Sequence, residues 1–417
     1  MKTFDRRSFH RVATAGAATA ALGSAAALAP AIVRAQPKKL RVGVLLPKTG
    51  VLGKIGQSCQ IGADIAPALL REMLGVDIEL MNVDTESKVD EARSRAEKLI
   101  VEGAQVLVGP FDSGAAAVIA QVAEQRKVPF VINVAAAPQI TKQGYKFTFR
   151  NFPTAVDLIS NGLALFRDLF QATGSAPRTA VLMHVNDTFG LANRRAIDAI
   201  FPKLDFLPFR IVETISYDPA ARDLSVEVSK AKASGADIVM LVCRLNDAIL
   251  LVREMIKQRY NPQGIISPGS PGMYEAAFYT NLGKHSEYCI SNVPWYDPKS
   301  KLTALVERQM KKQFPKEPLV FHALNVGFTF EAMLTAADAF RRAGSTDGPT
   351  LADAIRRTDI AARMMLGGPI RFDAEGQNTA IASACIQNRN LRPTVVLPRA
   401  SAEAAPVFPV PRWDQRS

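Results

Sequence analysis

The sequence is poor in the residues and motifs from which catalytic and metal centres are built. It contains only four cysteines and four histidines, and no histidine falls in an HExxH or comparable metal-binding pattern. It also has no GxSxG elbow, no Walker loop and no GxGxxG after a strand. Asp84 and Asp112, which follow predicted strands, fit loop caps better than paired catalytic carboxylates. We therefore predict a protein that is not an enzyme and that carries no metal and no cofactor.

The four cysteines are Cys59, Cys243, Cys289 and Cys385, and their spacing contains no CxxC. Such wide spacing gives no metal-binding set. A disulfide between Cys243 and Cys289 and a set of buried free thiols are both compatible with the sequence.

Long apolar runs and dense basic blocks are also missing beyond the first 35 residues. No later segment has 18 uninterrupted apolar residues, so we expect a soluble mature protein. The formal net charge is +12, but no Lys/Arg cluster is dense enough to follow a phosphate backbone, so nucleic acid is not a predicted partner. The length suits two domains with substantial cores.

The first 35 residues have the pattern of an export signal. Arg6 and Arg7 precede an uncharged, Ala-rich stretch at residues 12–33, and Val33-Arg34-Ala35 forms a small-residue cleavage site. Adjacent arginines are typical of the twin-arginine route, so we predict a signal peptide at 1–35 and a periplasmic mature protein. The alternative is a membrane anchor, which glycines and Ser/Thr residues in the stretch disfavour.

From residue 40 onward, short β-rich runs alternate with helical stretches. The predicted strands are 41–46, 77–83, 106–108, 130–132, 180–183, 238–242 and 381–386. The predicted helices are 58–74, 89–102, 155–170, 224–234, 302–314 and 323–343. Alternation of this kind favours parallel sheets covered on both faces. In residues 102–108 and again in 234–240, a glycine that ends a predicted helix is followed by an apolar strand. This repetition indicates two similarly built halves. The Pro- and Ala-rich tail beyond residue 400 is expected to lie loosely on the surface.

Four blocks, in order along the chain, carry a resemblance to a known family: residues 41–50, 108–113, 135–141 and 367–376. Together they resemble the type I periplasmic solute-binding proteins of ABC transporters, in the leucine/isoleucine/valine-binding (branched-chain amino acid) family. The resemblance implies an α/β fold with two doubly wound parallel-sheet lobes joined by a three-strand hinge. The N-terminal lobe would comprise residues 36–152 and 296–372. The C-terminal lobe would comprise 153–295 and 373–400, followed by a tail at 401–417.

The same resemblance implies a function. The lobes would close on a small-molecule ligand and deliver it to ABC permease subunits at the inner membrane, and we expect a monomer. The alternative from another class is a ligand-sensing subunit of a signalling system with the same fold, which the sequence does not separate from transport.

The resemblance also implies ligand-binding positions. Ser113 matches the family's carboxylate-binding serine; the competing explanation is that it only caps a helix. The backbone at Ala135 and Ala136 would add further contacts. Ala137 stands where the family has a threonine.

Other positions depart from the family pattern. Phe189 and Arg244 each replace a usual tyrosine, and Ile55 replaces a first-loop aromatic residue. The family's ammonium-binding glutamate aligns near Gly269 or Ser270. An unpaired buried ammonium is costly, so this pattern predicts a carboxylate ligand with an apolar or aromatic body and no α-ammonium, held between Ser113 and Arg244. A rim or inter-lobe salt bridge for Arg244, and an amino-acid ligand, remain open alternatives.

Overall fold

The computed structural model describes residues 39–416, so the predicted signal peptide lies outside the described residues. Within this range, no helix is both long and apolar enough to cross a membrane. The strands are β1 (Lys39–Leu46), β2 (Asp77–Asp84), β3 (Val106–Gly109), β4 (Phe130–Ile132), β5 (Thr148–Arg150), β6 (Thr179–Val185), β7 (Arg210–Tyr217), β8 (Ile238–Val242), β9 (Gly264–Ser267), β10 (Ile290–Pro294), β11 (Ser383–Arg389) and β12 (Arg392–Leu397).

The helices alternate with these strands along most of the chain. They are α1 (Gly53–Leu74), α2 (Val89–Val101), α3 (Ser113–Arg126), α4 (Ala155–Thr173), α5 (Thr188–Ile200), α6 (Ser225–Ala233), α7 (Leu245–Lys257), α8 (Ala276–Leu282), α9 (Lys301–Gln313), α10 (Ala323–Ala343) and α11 (Gly348–Arg356).

The first sheet has the order β2-β1-β3-β4-β5, and every pairing in it is parallel. Successive side chains of a strand point to opposite faces. Val42 and Val44 of β1 accordingly join a core with α1 and α10, whereas Leu45 joins a second core with α2 and α3. Burial on both faces explains the nearly continuous apolar sequence of β1.

The second sheet repeats the first and extends it. Its order is β12-β11-β10-β9-β8-β6-β7, and the parallel part, β7-β6-β8-β9-β10, has the connectivity of the whole first sheet. The predicted duplication of two α/β halves is therefore confirmed. The sheet differs from a wholly parallel one because β11 and β12 pair antiparallel at one edge. Asn390 and Leu391, both with positive φ, form the tight turn between these two strands.

Three segments connect the lobes, and the third lies between the other two. The first follows β5, the second follows β10, and the third lies between α11 and β11. Arg150 and Gln377 form a parallel bridge between the first and third segments, and Tyr296 and Met365 form an antiparallel bridge between the second and third. The individual boundary residues of the lobes remain a prediction.

Arg150 lies fully buried where the first hinge segment begins. Its Nε donates to Oε1 of Gln377 at 2.6 Å, Nη1 donates to the carbonyl oxygen of Ala137 at 2.7 Å, and Nη2 donates to the hydroxyl of Thr141 at 2.8 Å. Burial lowers the pKa of Arg150 to about 10. Because these neutral partners belong to the third hinge segment and to the loop after β4, Arg150 ties that loop to the hinge.

Glu331 is the corresponding buried acid on α10. Its carboxylate pairs with Arg363 at 2.9 Å and accepts the N–H groups of Met364 and Met365 at 2.8 and 2.9 Å. It also accepts a hydrogen bond from the side-chain amide of Asn151 at 3.1 Å. Glu331 therefore fixes the third hinge segment and the first against α10.

The prediction of a loose C-terminal tail is wrong. Phe408 and Trp413 are buried in the core of the second sheet's lobe, and the indole N–H of Trp413 donates to the carbonyl oxygen of Tyr260 at 2.6 Å. The Arg416 guanidinium lies 3.8 Å from the centre of the Trp413 ring and donates to the carbonyl oxygen of Glu287 at 2.8 Å. The prolines of this segment are typical of a loop, but its buried aromatic residues hold it against the lobe.

We expect Trp413→Ala to lower the free energy of unfolding by about 3–5 kcal/mol, because it leaves a cavity and an unpaired carbonyl group. Urea unfolding followed by circular dichroism measures the change. As a control, Phe206→Ala removes an aromatic ring that is 38% exposed and should change stability by about 1 kcal/mol or less. Equal midpoints for the two variants would show that the tail does not contribute to the core.

Candidate functional site

An inter-lobe cavity of about 190 Å³, here called the outer cavity, lies at the carboxyl ends of strands from both sheets. Its first wall comes from the loops after β1, β2 and β3, and its second from the loops after β6, β7 and β8. Ligands of open α/β sheets bind at these strand ends. The cavity is lined by Val51, Leu52, Ser87, Val89, Asp112, Gly114, Val185, Asp187, Thr188, Phe189, Pro219, Arg244, Asn246 and Asp247.

A second, nearly closed space, here called the inner cavity, lies behind the outer one. Its volume is only about 20 Å³, which is room for about one water molecule. Apart from Arg244, its lining is apolar or glycine: Phe111, Val134, Phe152, Leu158, Phe189, Gly269, Pro271 and Leu324. Because these residues come from both lobes and the hinge, any movement of the lobes changes the size of this space.

Phe189 and Arg244 line both cavities, so they stand between them. The Arg244 guanidinium carbon lies 4.9 Å from the centre of the Phe189 ring, a cation–π geometry. Nη1 of Arg244 donates to Oδ2 of Asp187 in the same lobe. The competing explanation of Arg244 as a salt-bridge residue is thus correct for one nitrogen, but the partner lies within the same lobe.

The remaining nitrogens of Arg244 are less fully engaged. The side chain is only 6% exposed, and its Nε is buried without a hydrogen-bond partner among the described residues. Burial opposes the charge, but Asp187, Asp247 and Asp112 together outweigh it, so the pKa of Arg244 lies above its usual value. The guanidinium stays charged and offers an unused donor, which is what a ligand oxygen requires.

Three acids surround this guanidinium: Asp112, Asp187 and Asp247 all line the outer cavity. Asp247 is engaged, because its carboxylate accepts the backbone N–H of Arg244 and the hydroxyl of Tyr217 at 2.6 Å. Burial raises the pKa of Asp112 and of Asp247. The family's glutamate is absent at Gly269 and Ser270, as predicted, but acids from other segments lie around Arg244, so the missing glutamate does not leave the site without acid acceptors.

Ser113 and the loop after β4 are brought together as the resemblance implies. The Ser113 hydroxyl oxygen accepts the backbone N–H groups of Ala136 and Ala137, both at 3.2 Å. On the other side of this loop, Arg150 donates to the carbonyl oxygens of Ala135 and Ala137. The helix cap of α3 is Asp112, not Ser113, so the competing explanation for Ser113 does not hold.

The approach to Asp112 and Ser113 depends on Gly109 at the end of β3. Its φ is +124°, and a Cβ atom there would lie 2.1 Å from the carbonyl oxygen of Leu45. Only glycine fits this position. The chain can therefore leave the sheet abruptly and place Asp112 against the cleft.

Ile55 and Ser270 were predicted to contact the ligand, but both are buried in the core of the protein. Ile55 is buried inside α1, where it packs in the core rather than in a loop. Ser270 is buried in a turn, where its hydroxyl donates to the carbonyl oxygen of Leu241 and accepts the backbone N–H of Cys243, each at 3.0 Å. Its neighbours Gly269 and Pro271 line the inner cavity instead.

The four cysteines are buried free thiols in the structure. The sequence was compatible with a Cys243–Cys289 disulfide or with buried free thiols. The structure favours free thiols, and Cys243 and Cys289 are not bonded to each other. Burial raises the pKa of Cys289 to about 11 and that of Cys59 to about 12. The thiols are therefore protonated and unreactive near neutral pH.

Glu275 is a buried acid that joins the two lobes. It precedes α8 in the second lobe and is 4% exposed. The side-chain amide of Asn325 on α10 donates to its Oε1 at 3.1 Å. Burial raises the pKa of Glu275 to about 8, and the Asn325 hydrogen bond only partly opposes this shift.

The raised pKa of Glu275 predicts a pH-dependent stability. Between its usual pKa of 4.5 and about 8, the folded protein holds a proton that the unfolded chain has released. The free energy of unfolding should therefore fall as the pH rises through this range, by up to about 1.4 kcal/mol for each pH unit, and Glu275→Gln should remove that decrease. Urea unfolding across the range measures it, with the exposed Glu213→Gln as the control. A wild-type slope that survives in Glu275→Gln would contradict the assignment.

The structure defines a class of protein: two α/β lobes, three hinge segments and a ligand-sized cleft at the carboxyl ends of the strands. This is the architecture of a two-lobed solute-binding protein. The sequence profile of the periplasmic binding protein family matches residues 39–387. The chain belongs to this family, as predicted. It is similar to Leu/Ile/Val-binding proteins and has their type I fold. Members of the family are binding proteins rather than enzymes.

Individual relatives are similar over most of the chain. The Leu/Ile/Val-binding protein homolog 7 of Brucella suis biovar 1 (strain 1330) is 24% identical over 376 residues, which is 87% of this chain and 92% of that protein. The leucine-binding protein LivK of Thermotoga maritima MSB8 has a TM-score of 0.72 and 23% identity, and the match covers 85% of this chain and 97% of that chain. A solute-binding protein of an ABC transporter from R. palustris, in complex with benzoate, has a TM-score of 0.72 and 16% identity, with coverage of 88% and 98%.

Proposed function

We propose that this protein is the periplasmic substrate-binding protein of an ABC transporter, and that it binds a small solute with a carboxylate and an apolar body. The observation that carries the proposal is the buried Arg244 Nε, which has no hydrogen-bond partner among the described residues and which lies where the outer and inner cavities meet. A carboxylate oxygen is the acceptor that suits a charged guanidinium donor.

The surroundings of Arg244 support an apolar body for the ligand. Phe189 covers one face of the guanidinium, and the inner cavity adds Phe111, Val134 and Phe152. Small ligand sites combine apolar walls with a few polar groups that fix orientation. The outer cavity of about 190 Å³ is below the range for drug-sized ligands, so the ligand is of amino-acid or simple aromatic-acid size.

Similar proteins bind ligands of both kinds. LivK is a leucine-binding protein, and the R. palustris protein was captured with benzoate. We infer that hinge closure brings the Ser113 loop and Arg244 onto one ligand, because only contacts that differ between open and closed forms shift their balance. Transport requires permease subunits as partners; a sensing role would require a signalling partner instead.

We further propose that the protein is exported to the periplasm. The paired arginines Arg6 and Arg7 and the small-residue end at Ala35 support a cleaved signal of the twin-arginine type. Fusion of residues 1–38 to a reporter protein that is active only when exported folded should give a periplasmic signal, and Arg6→Lys with Arg7→Lys should abolish it. Export that persists in this variant would contradict the twin-arginine assignment.

Isothermal titration calorimetry tests the ligand class. We expect purified mature protein to bind benzoate, 3-phenylpropionate or leucine, and to bind the corresponding amide, such as benzamide, at least tenfold more weakly. Arg244→Gln should weaken binding of the acid by about 10- to 100-fold, whereas Arg244→Lys, which keeps the charge, should weaken it less.

The matched control is Arg356→Gln. Arg356 donates to backbone carbonyl groups of Lys146 and Ala374 and lines neither cavity, so the variant should bind as the wild type does. Failure of all three acids to bind, or equal binding of acid and amide, would overturn the ligand class.

A further inference from the structure

The carboxylate of Asp112 has two oxygens with different environments. Oδ1 caps α3 by accepting the backbone N–H of Ala115 at 2.7 Å. Oδ2 is buried and has no hydrogen-bond partner among the described residues. A buried acceptor left unpaired is costly and rare in native proteins. Helix capping therefore explains one oxygen of Asp112 and leaves the other unexplained.

The neighbouring cation does not satisfy this oxygen. Arg244 lines the same outer cavity and attracts the Asp112 carboxylate electrostatically, yet its Nη1 is bonded to Asp187. Its Nε, like Oδ2 of Asp112, has no partner within the described part of the chain. One wall of the cleft thus presents an unpaired acceptor from the first lobe, and the opposite wall presents an unpaired donor from the second.

The two groups can be satisfied by complementary atoms of one molecule. Arg244 Nε needs an acceptor, which the carboxylate of the proposed ligand supplies. Asp112 Oδ2 needs a donor, and no described residue donates to it. The Ser87 hydroxyl and the Asn246 amide, which also line the outer cavity, donate to backbone carbonyl groups instead. The ligand or a water molecule can supply the missing donor.

We propose that Asp112 is a specificity-determining residue, whose Oδ2 accepts a hydrogen bond from a hydroxyl or ammonium group of the bound acid. This inference rests on the proposed function, since it assigns a second polar group to the same ligand. The ligand then joins the lobes through two polar contacts, carboxylate to Arg244 and donor to Asp112. Because Asp112 precedes Ser113, the carboxylate-binding loop and the donor-binding acid belong to one turn.

Two matched ligand pairs test the proposal by calorimetry. Benzoate and 3-hydroxybenzoate differ by a hydroxyl donor, and 3-phenylpropionate and phenylalanine differ by an ammonium donor. We expect wild-type protein to bind the donor-bearing member of at least one pair about tenfold or more tightly. The pair that shows the preference identifies the source of the donor.

Asp112→Asn is the decisive variant, because it is nearly isosteric. The amide oxygen of the introduced side chain can still cap α3, but an NH₂ donor replaces the acceptor Oδ2. We expect the preference for the donor-bearing ligand to be lost or reversed. Asp112→Ser, which also caps helices but has no second oxygen, should abolish the preference without reversing it, and serves if Asp112→Asn fails to fold.

The control is Asp347→Asn, which changes the cap of α11 and should leave the preference unchanged. A wild-type protein that binds these acids without preferring a donor, or a preference that survives in Asp112→Asn, would overturn the role of Asp112 alone. A wild-type protein that binds neither these four acids nor leucine would overturn the proposed ligand class, and this inference with it.

Discussion

The enclosure of two charged side chains at the junction of the lobes constrains the rest of the structure. Arg150 donates to an amide oxygen, a hydroxyl and two backbone carbonyl groups, and Glu331 gathers an arginine, two backbone N–H groups and an amide. Buried charges are tolerated only when their hydrogen-bonding groups are satisfied. Because those partners come from different hinge segments and from the loop after β4, the positions of these parts are mutually fixed.

The cleft follows from that constraint. Arg150 fixes the carbonyl side of the loop after β4, which leaves the N–H groups of Ala136 and Ala137 turned toward Ser113. The second lobe contributes Phe189 and Arg244 from the ends of its own strands. Polar groups of the cleft are therefore divided between the two lobes, and a ligand that contacted both would favour closure.

The sequence predicts elements well where burial is complete. Residues 130–132 and 323–343 are found with the predicted bounds, because their apolar patterns leave little choice of structure. The edge strand β12 and the packed tail were missed, since prolines and a short turn obscured their buried faces. Phe408 and Trp413 could have indicated that the tail is packed, because large aromatic residues in a Pro-rich segment favour its burial against the protein.

The contact between Ser113 and the loop after β4 is found as the resemblance implies, whereas Ile55 lies buried inside α1 rather than in a loop. Binding of a ligand by Ser113 remains a prediction. Asp247 lies three residues after Arg244, in the first turn of α7, but Asp112 and Asp187 come from two distant loops, so no local spacing brings all three acids together. Asp112 and Asp187 share a recurrent signal, an Asp directly before a helix that follows a strand.

The docked tail has a consequence for the order in which the lobes can mature. The second lobe needs β11, β12 and the aromatic residues near position 410 to complete its sheet and core. On a ribosome these residues emerge after β6 to β10, on which they pack, so this lobe cannot reach its final packing while only the strands up to β10 have emerged. The first sheet, whose strands all precede residue 151, can pair far earlier. Newly made chains therefore pass through a stage in which the first sheet can be complete while the second lobe still exposes apolar surface.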